Sequence, residues 1–244
     1  MNNHQLLAYS VKYEGEYSRI KLALMRNEPY EPILDSPKAF TILDDCYPEG
    51  LKNLLEPPYV LYYKGNLELL KHKGISVVGS RLPKDYATRW TKNVVELLSQ
   101  RYVIISGLAK GIDALAHVCA LKHNTTIAVL GCGIHRIYPI ENKVLYHQIE
   151  EEGLILSEYP SETLPLKHRF PQRNRIVAAL GKAVVVMQAD YKSGSMITVR
   201  EALDIGKEIY SIPYDLDAQE GQGCNLLIQQ GANMILSLED VLCI

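Results

Sequence analysis

Four short β-branched runs, each ending in a glycine turn, constrain this 244-residue chain more than any other feature. Ile75-Ser76-Val77-Val78 leads into Gly79-Ser80-Arg81, and Tyr102-Val103-Ile104-Ile105 into Ser106-Gly107-Leu108-Ala109-Lys110-Gly111. Thr126-Ile127-Ala128-Val129-Leu130 leads into Gly131-Cys132-Gly133, and Ala183-Val184-Val185-Val186-Met187 into a loop ending Ser193-Gly194-Ser195. Strands apolar along their whole length need cover on both faces, and the amphipathic stretch after each turn supplies it, so these are parallel βαβ units. The expected fold is α/β: an extended, Rossmann-like, doubly wound and mainly parallel sheet over residues 41–244. Helices are expected over 83–100, 111–122, 172–181 and 196–206, the last two closing at Gly181 and Gly206. Further strands are expected over 60–63, 208–212 and 233–236.

The first 70 residues differ. They hold six prolines (Pro29, Pro32, Pro37, Pro48, Pro57, Pro58) and no strand–glycine–helix unit. Residues 1–40 read as a short helical appendage, and 41–70 as a lead-in that packs on the main domain, with a helical turn or two over Leu51-Lys52-Asn53-Leu54-Leu55.

In a parallel sheet the strand C-termini and helix N-termini meet at one edge, where glycine lets backbone approach a phosphate and free N–H groups face it. Arg81 and Lys110 lie in those turns. A second cationic element is Lys167-His168-Arg169-Phe170-Pro171-Gln172-Arg173-Asn174-Arg175, and no Asp or Glu occurs from Lys167 to Gln188. Cations tracking phosphates around an aromatic that accepts a stacked base suit single-stranded nucleic acid. The alternative is Phe170 in the core with the arginines as a solvated rim. Net charge is −2, so any nucleic-acid binding must be local.

Several classes are disfavoured. Gly131-Cys132-Gly133-Ile134-His135-Arg136 resembles a dinucleotide fingerprint but has Arg136 where the third glycine belongs, and follows the third strand rather than the first. No G-x-x-x-x-G-K-[ST] loop is present. Ser106 lacks a nucleophile-elbow context. Asp113 and His117, one helical turn apart, lack a third metal ligand and read as local hydrogen-bonding groups. Glu158, at a strand end, reads as an arginine partner. The five cysteines are widely spaced with no C-x-x-C pair, which suits a reducing compartment. No apolar run is long enough to span a membrane, and the N-terminus has no signal-peptide character, so a cytoplasmic location is expected.

Taken in order, Val78-Gly79-Ser80-Arg81, Ser106-Gly107-Leu108-Ala109-Lys110-Gly111-Ile112-Asp113, Ala116-His117, Tyr138-Pro139, Ser157-Glu158, Phe170-Pro171-Gln172-Arg173-Asn174-Arg175, Ser193-Gly194-Ser195-Met196-Ile197-Thr198 and Asn225-Leu226-Leu227-Ile228 resemble the DNA-processing family DprA, also called Smf. The resemblance runs from about residue 47 to the C-terminus. It implies a bacterial cytosolic protein that binds single-stranded DNA, protects incoming DNA during natural transformation, loads the recombinase RecA and dimerises. No cofactor is implied. By motif, Gly79, Ser80 and Arg81 would form the phosphate-binding turn, bordered by Ser106, Gly107 and Lys110. Phe170, Arg173, Asn174 and Arg175 would line the strand's path, and Ser193, Gly194 and Ser195 would give a further anion site. Lys167 and Lys192 join by charge and position.

The chain departs from the family pattern at Gln188, where a carboxylate is usual, and at Tyr214, where Pro-Gly is usual. It also stops at Ile244, without the winged-helix domain many members append. Two other readings stay open. One is a nucleotide-hydrolysing enzyme of the phosphoribohydrolase-like superfamily, whose P-G-G-x-G-T-x-x-E loop is only loosely matched by Lys192–Glu201. The other is a small-nucleotide sensor, which leaves the Phe170–arginine segment unexplained.

Overall fold

The computed structural model describes residues 1–33 and 37–244. Its centre is a nine-stranded sheet: β1 (Ala39–Thr41), β2 (Val60–Gly65), β3 (Gly74–Val78), β4 (Val103–Ser106), β5 (Thr126–Leu130), β6 (Leu154–Ser157), β7 (Gly181–Val186), β8 (Glu208–Ser211) and β9 (Asn233–Met234). The strand order is β1-β2-β6-β5-β4-β3-β7-β8-β9. From β6 to β9 every pairing is parallel, while β1 and β2 add an antiparallel flank. The chain winds outward from β3 to β6, then returns to start β7 on the other side of β3. The topological switch point therefore lies between β3 and β7, where the connections leave in opposite directions and open a crevice. The doubly wound expectation holds.

The helices are α1 (Asn3–Lys12), α2 (Tyr17–Met25), α3 (Glu49–Lys52), α4 (Asp85–Leu98), α5 (Ile112–Ala120), α6 (Lys143–Glu152), α7 (Arg169–Leu180), α8 (Ser195–Asp204), α9 (Gln222–Gln229) and α10 (Leu238–Leu242). Strand side chains alternate between faces. Ile75 and Val77 pack with α4 and α5 through Val94, Leu98, Ile112 and Ala116. Val78, Ile105, Val129 and Val186 pack with α7 and α8 through Ile176, Val177 and Val199. Both layers are buried, which is why the central strands carry apolar residues on both faces.

Several boundaries differ from expectation for local reasons. α4 begins two residues after Pro83, and α5 gives way to a 3-10 turn at Leu121–His123. α7 begins at Arg169, not 172, because Pro171 sits inside the first turn, where its missing N–H would have had no helical partner. Gly181 closes α7 as expected, but in extended backbone that opens β7 directly, whereas Gly206, at φ +71, takes the left-handed position after α8. α6, α9, α10 and β1 are additions, and β1 spans residue 40, the expected end of the appendage.

The abundant tyrosines join segments. Tyr62 donates to Ser10 Oγ at 2.9 Å, Tyr47 to the Pro58 carbonyl at 2.8 Å, and Tyr214 to the Met187 carbonyl at 2.6 Å. Each buries a ring and satisfies its hydroxyl across the chain. The departures from the family pattern are absorbed similarly. Gln188 accepts from the Lys84 backbone N–H at 2.9 Å, and Tyr214 packs its ring against Gly221 and edge-on to Tyr86.

Candidate nucleic-acid interface

At the switch point a cleft of about 620 Å³ opens above the C-terminal ends of β3 and β4. Gly79, Ser80 and Arg81 from the turn after β3 form one wall, and Ser193, Gly194 and Ser195 at the start of α8 form another. Gly107, Asp113, Lys167, Tyr138 and one stripe of α7 also line it. That stripe is Phe170, Arg173, Asn174 and Val177, the i, i+3, i+4, i+7 pattern of one helical face.

Helical phase also decides which expected residues are absent. Arg175 stands two positions from Arg173, about 200° around the helix, and faces the opposite way. It makes two hydrogen bonds to Glu158, at 2.8 and 2.7 Å, and a third to the Glu56 carbonyl at 2.9 Å. Both members of this pair are buried; burial works against the Arg175 charge, but Glu158 outweighs it and holds the guanidinium even more firmly charged than usual. Arg175 fastens α7 to the lead-in segment and does not line the cleft. Glu158 is its partner, as expected.

Ser106 is likewise withdrawn: it is buried, with Oγ donating to the Val77 carbonyl at 2.6 Å, because a serine at the end of β4 finds the neighbouring strand before any ligand. Lys192 is exposed on the loop before α8 but lies outside the cleft lining. Lys110 borders a smaller crevice that continues from the cleft, lined also by Arg81, Gly131, Tyr138, Phe170 and Arg173.

Arg173 faces the cleft but is committed to the fold. Its side chain is buried, and Nη1 donates to the carbonyls of Gly107 and Val129 at the ends of β4 and β5. Burial pushes its pKa down, and the nearby Asp113 carboxylate opposes that shift. Asp113 in turn accepts from the Gly107 N–H at 3.1 Å and the Ala109 N–H at 3.4 Å, bracing the turn, while burial pushes its own pKa up. A Cβ on Gly107 would stand 2.4 Å from the Arg173 guanidinium, and one on Gly131 would stand 2.7 Å from the Phe170 ring. These two glycines make room for side chains of the protein itself.

Asn174 is also committed: its Oδ1 accepts from Arg173 Nε at 3.1 Å and its Nδ2 donates to the Gly194 carbonyl at 3.3 Å. It ties α7 to the 193–195 turn. A Cβ on Gly194, by contrast, would meet nothing within 4 Å.

The exposed cations on the cleft are Arg81 and Lys167. Phe170 is half-buried, and Tyr138 is tilted against it with ring centroids 5.3 Å apart. In the sequence Tyr138 stands only within the Tyr138-Pro139 motif, and its adjacency to Phe170 arises from a connection more than 30 residues long. Among the described residues no group of three or more His, Cys, Asp or Glu could hold a metal ion. His117 is not a ligand candidate: it is buried, with Nδ1 2.6 Å from Thr126 Oγ1, and burial lowers its pKa to about 3.

Fold and cleft together define a Rossmann-type protein with a cationic, aromatic-bearing cleft at its switch point, walled by two glycine turns. Residues 38–243 match the family model of the DNA recombination-mediator protein A, and the chain belongs to that family. It is 44% identical over 205 residues to the DNA processing protein DprA of Streptococcus pneumoniae, covering 84% of this chain and 73% of that one. It is 45% identical over 213 residues to protein Smf of Synechocystis, covering 85% of this chain and 54% of that protein. The X-ray structure of S. pneumoniae DprA superposes with a TM-score of 0.83 at 41% identity, covering 93% of this chain and 80% of that chain. A Helicobacter pylori DprA structure described for its single-stranded DNA binding mode gives 0.76 at 35%, covering 84% and 94%.

Proposed function

We propose that this protein is a non-catalytic, cytoplasmic single-stranded DNA-binding mediator that protects incoming DNA during natural transformation and, as a homodimer, loads RecA onto it. The observation that carries the DNA reading is the pairing of Phe170 and Tyr138 beside Arg81 and Lys167 at the switch-point cleft. An aromatic platform takes a base face without regard to sequence, and flanking cations neutralise the phosphates on either side. A duplex cannot offer an unstacked base to that platform. The proposed contact set is Gly79, Ser80, Arg81, Gly107, Lys167, Phe170, Ser193, Gly194 and Ser195, with Tyr138 added and Lys110 at the adjoining crevice. Arg173 and Asn174 hold that set in place. The H. pylori relative, described as binding single-stranded DNA, supports the ligand class, and family membership supports the mediator role. No helix among the described residues is long and apolar enough to cross a membrane.

The non-catalytic reading rests on the carboxylates. Asp113 is occupied by two backbone N–H groups, and Glu201, the acid suggested by the loosely matched hydrolase loop, is not on the cleft lining.

The test is fluorescence anisotropy with a labelled single strand and its duplex, at several salt concentrations, for wild type and Phe170→Ala. Salt-sensitive binding that prefers the single strand and weakens in the variant is expected. Equal affinity for single strand and duplex, or an unaffected variant, would refute the site. RecA assembly on single strands with and without the protein tests loading, and light scattering tests the dimer.

A further inference from the structure

The crevice behind the cleft is small, about 50 Å³, and its rim carries an ion pair that the DNA-binding reading does not use. Lys110 Nζ lies 2.5 Å from Glu141 Oε1, and both side chains are about half exposed, at 49% and 56%. The carboxylate is held there by backbone. Glu141 sits in a 3-10 turn, Ile140–Asn142, and Asn142 Nδ2 donates to the carbonyls of Leu108 at 2.9 Å and Ala109 at 3.2 Å. The 140–142 turn is thereby clamped over the 107–110 turn, with its carboxylate set against the cation on the crevice rim.

Arg81 and Lys110 line the same crevice as Tyr138 and Phe170. A phosphate flanking a base held on Phe170 would find Arg81 without an ion-pair partner among the described residues and Lys110 already paired with Glu141. To engage Lys110 it must displace Glu141, and the released carboxylate then stands unpaired beside a polyanion. Exposed pairs of this kind are weak enough to exchange but cost affinity when they do.

We propose that Glu141 is a built-in competitor for Lys110 that lowers the affinity of the cleft for single-stranded DNA and reduces the number of phosphates it neutralises. This rests on the single-stranded DNA reading. Glu141 acts through Lys110, so its contribution has the opposite sign from that of the cleft's exposed cations: removing its charge tightens binding. If Glu141 served only to staple the two turns together, removing it would loosen the 107–110 turn and weaken binding. Asn142 keeps those turns joined without it.

The experiment uses the full chain and a labelled oligo-dT strand, titrated at several salt concentrations with wild type, Glu141→Gln, Glu141→Ala, Lys110→Met and the Glu141→Gln/Lys110→Met double variant. Melting temperatures confirm that each is folded. Both Glu141 variants are expected to bind about two- to fivefold more tightly at low salt, with the log–log salt slope steeper by up to ~0.7. Lys110→Met is expected to cost more affinity in the Glu141→Gln background than in wild type. Unchanged or weaker binding in folded Glu141 variants, or additive effects in the cycle, overturns the proposal. If wild type itself fails to bind the strand, the DNA-binding reading falls. If wild type binds and Glu141→Gln does not tighten it, only this inference falls.

Discussion

Arg81 and Arg173 line the same cleft, yet replacing each with alanine should produce opposite signatures. The Arg173 guanidinium is buried and donates to two carbonyls at the strand ends, with Asp113 close enough to counter its charge. Its removal strands those carbonyls, leaves Asp113 without its cation and opens a cavity against Gly107. Removing one member of a buried charged network costs about 3–5 kcal/mol, a large part of the ~5–15 kcal/mol that holds a domain together. In a chain of this size each kcal/mol moves Tm by roughly 2–4 °C. Arg173→Ala should therefore melt about 6–20 °C below wild type. Arg81 is exposed, so Arg81→Ala should change stability by no more than ~0.5 kcal/mol, while its salt slope for single-stranded DNA falls by ~0.7. Thermal unfolding and salt-dependent anisotropy on both variants separate the two roles. An Arg173→Ala protein that keeps the wild-type Tm and loses only as much binding as Arg81→Ala would refute the claim that Arg173 belongs to the fold.

The remaining expectations follow the same geometry. Gly194→Ala should melt as wild type does, since its Cβ meets no protein atom and its φ of −59 suits alanine, yet bind single-stranded DNA several-fold more weakly if backbone approach matters there; undiminished affinity would remove the 193–195 turn from the contact set. Glu158→Gln should destabilise by about 3–5 kcal/mol in thermal melts while leaving the DNA salt slope intact, because the Arg175 pair lies on the far side of α7; a changed slope would contradict that placement. His117 is neutral in the fold, with its pKa lowered from 6.5 to about 3, so it contributes stability above pH 6.5 that is lost as pH falls toward 3. His117→Gln should flatten the acid limb of stability against pH by up to ~1.4 kcal/mol per pH unit between 6 and 4, and an unaltered limb in urea titrations would show that burial does not control this histidine.

The parallel sheet was legible because its strands are apolar on both faces, a pattern few other folds require. α6 was not, since Leu145, Tyr146 and Ile149 form a short buried stripe beside the acidic run Glu150-Glu151-Glu152. The glycine turns were legible as the edge of a site, but their purpose was only half visible. Spacing cannot tell a glycine that admits a ligand from one that admits a side chain over 60 residues further along, as Gly107 admits Arg173. The segment from Lys167 to Arg175 reads as a single cationic patch only while it is treated as extended chain. Once it is helical, phase divides it, sending Arg173 toward the cleft and Arg175 toward Glu158. Tyr138 left almost no trace, because its neighbour in space is fixed by a crossover rather than by local sequence.

That division gives α7 a dual role that explains how a shallow cationic cleft keeps its shape. One side chain of the helix, Arg175, is locked to Glu158 and the lead-in segment, while Arg173 and Asn174 reach across to the strand ends and the 193–195 turn. The 107 turn and the 193–195 turn are therefore both tied to side chains of one helix. Phe170 is carried on the same helix, seated against Gly131, so the aromatic ring shares its support with those two turns. A strand entering such a cleft meets surfaces already in position, and little ordering of the protein offsets the gain from stacking and charge. Arg81 and Lys167 are exposed on the cleft, where long side chains could follow phosphates whose positions shift with each base. A braced aromatic beside exposed, long-chained cations is what sequence-tolerant binding of a flexible strand requires.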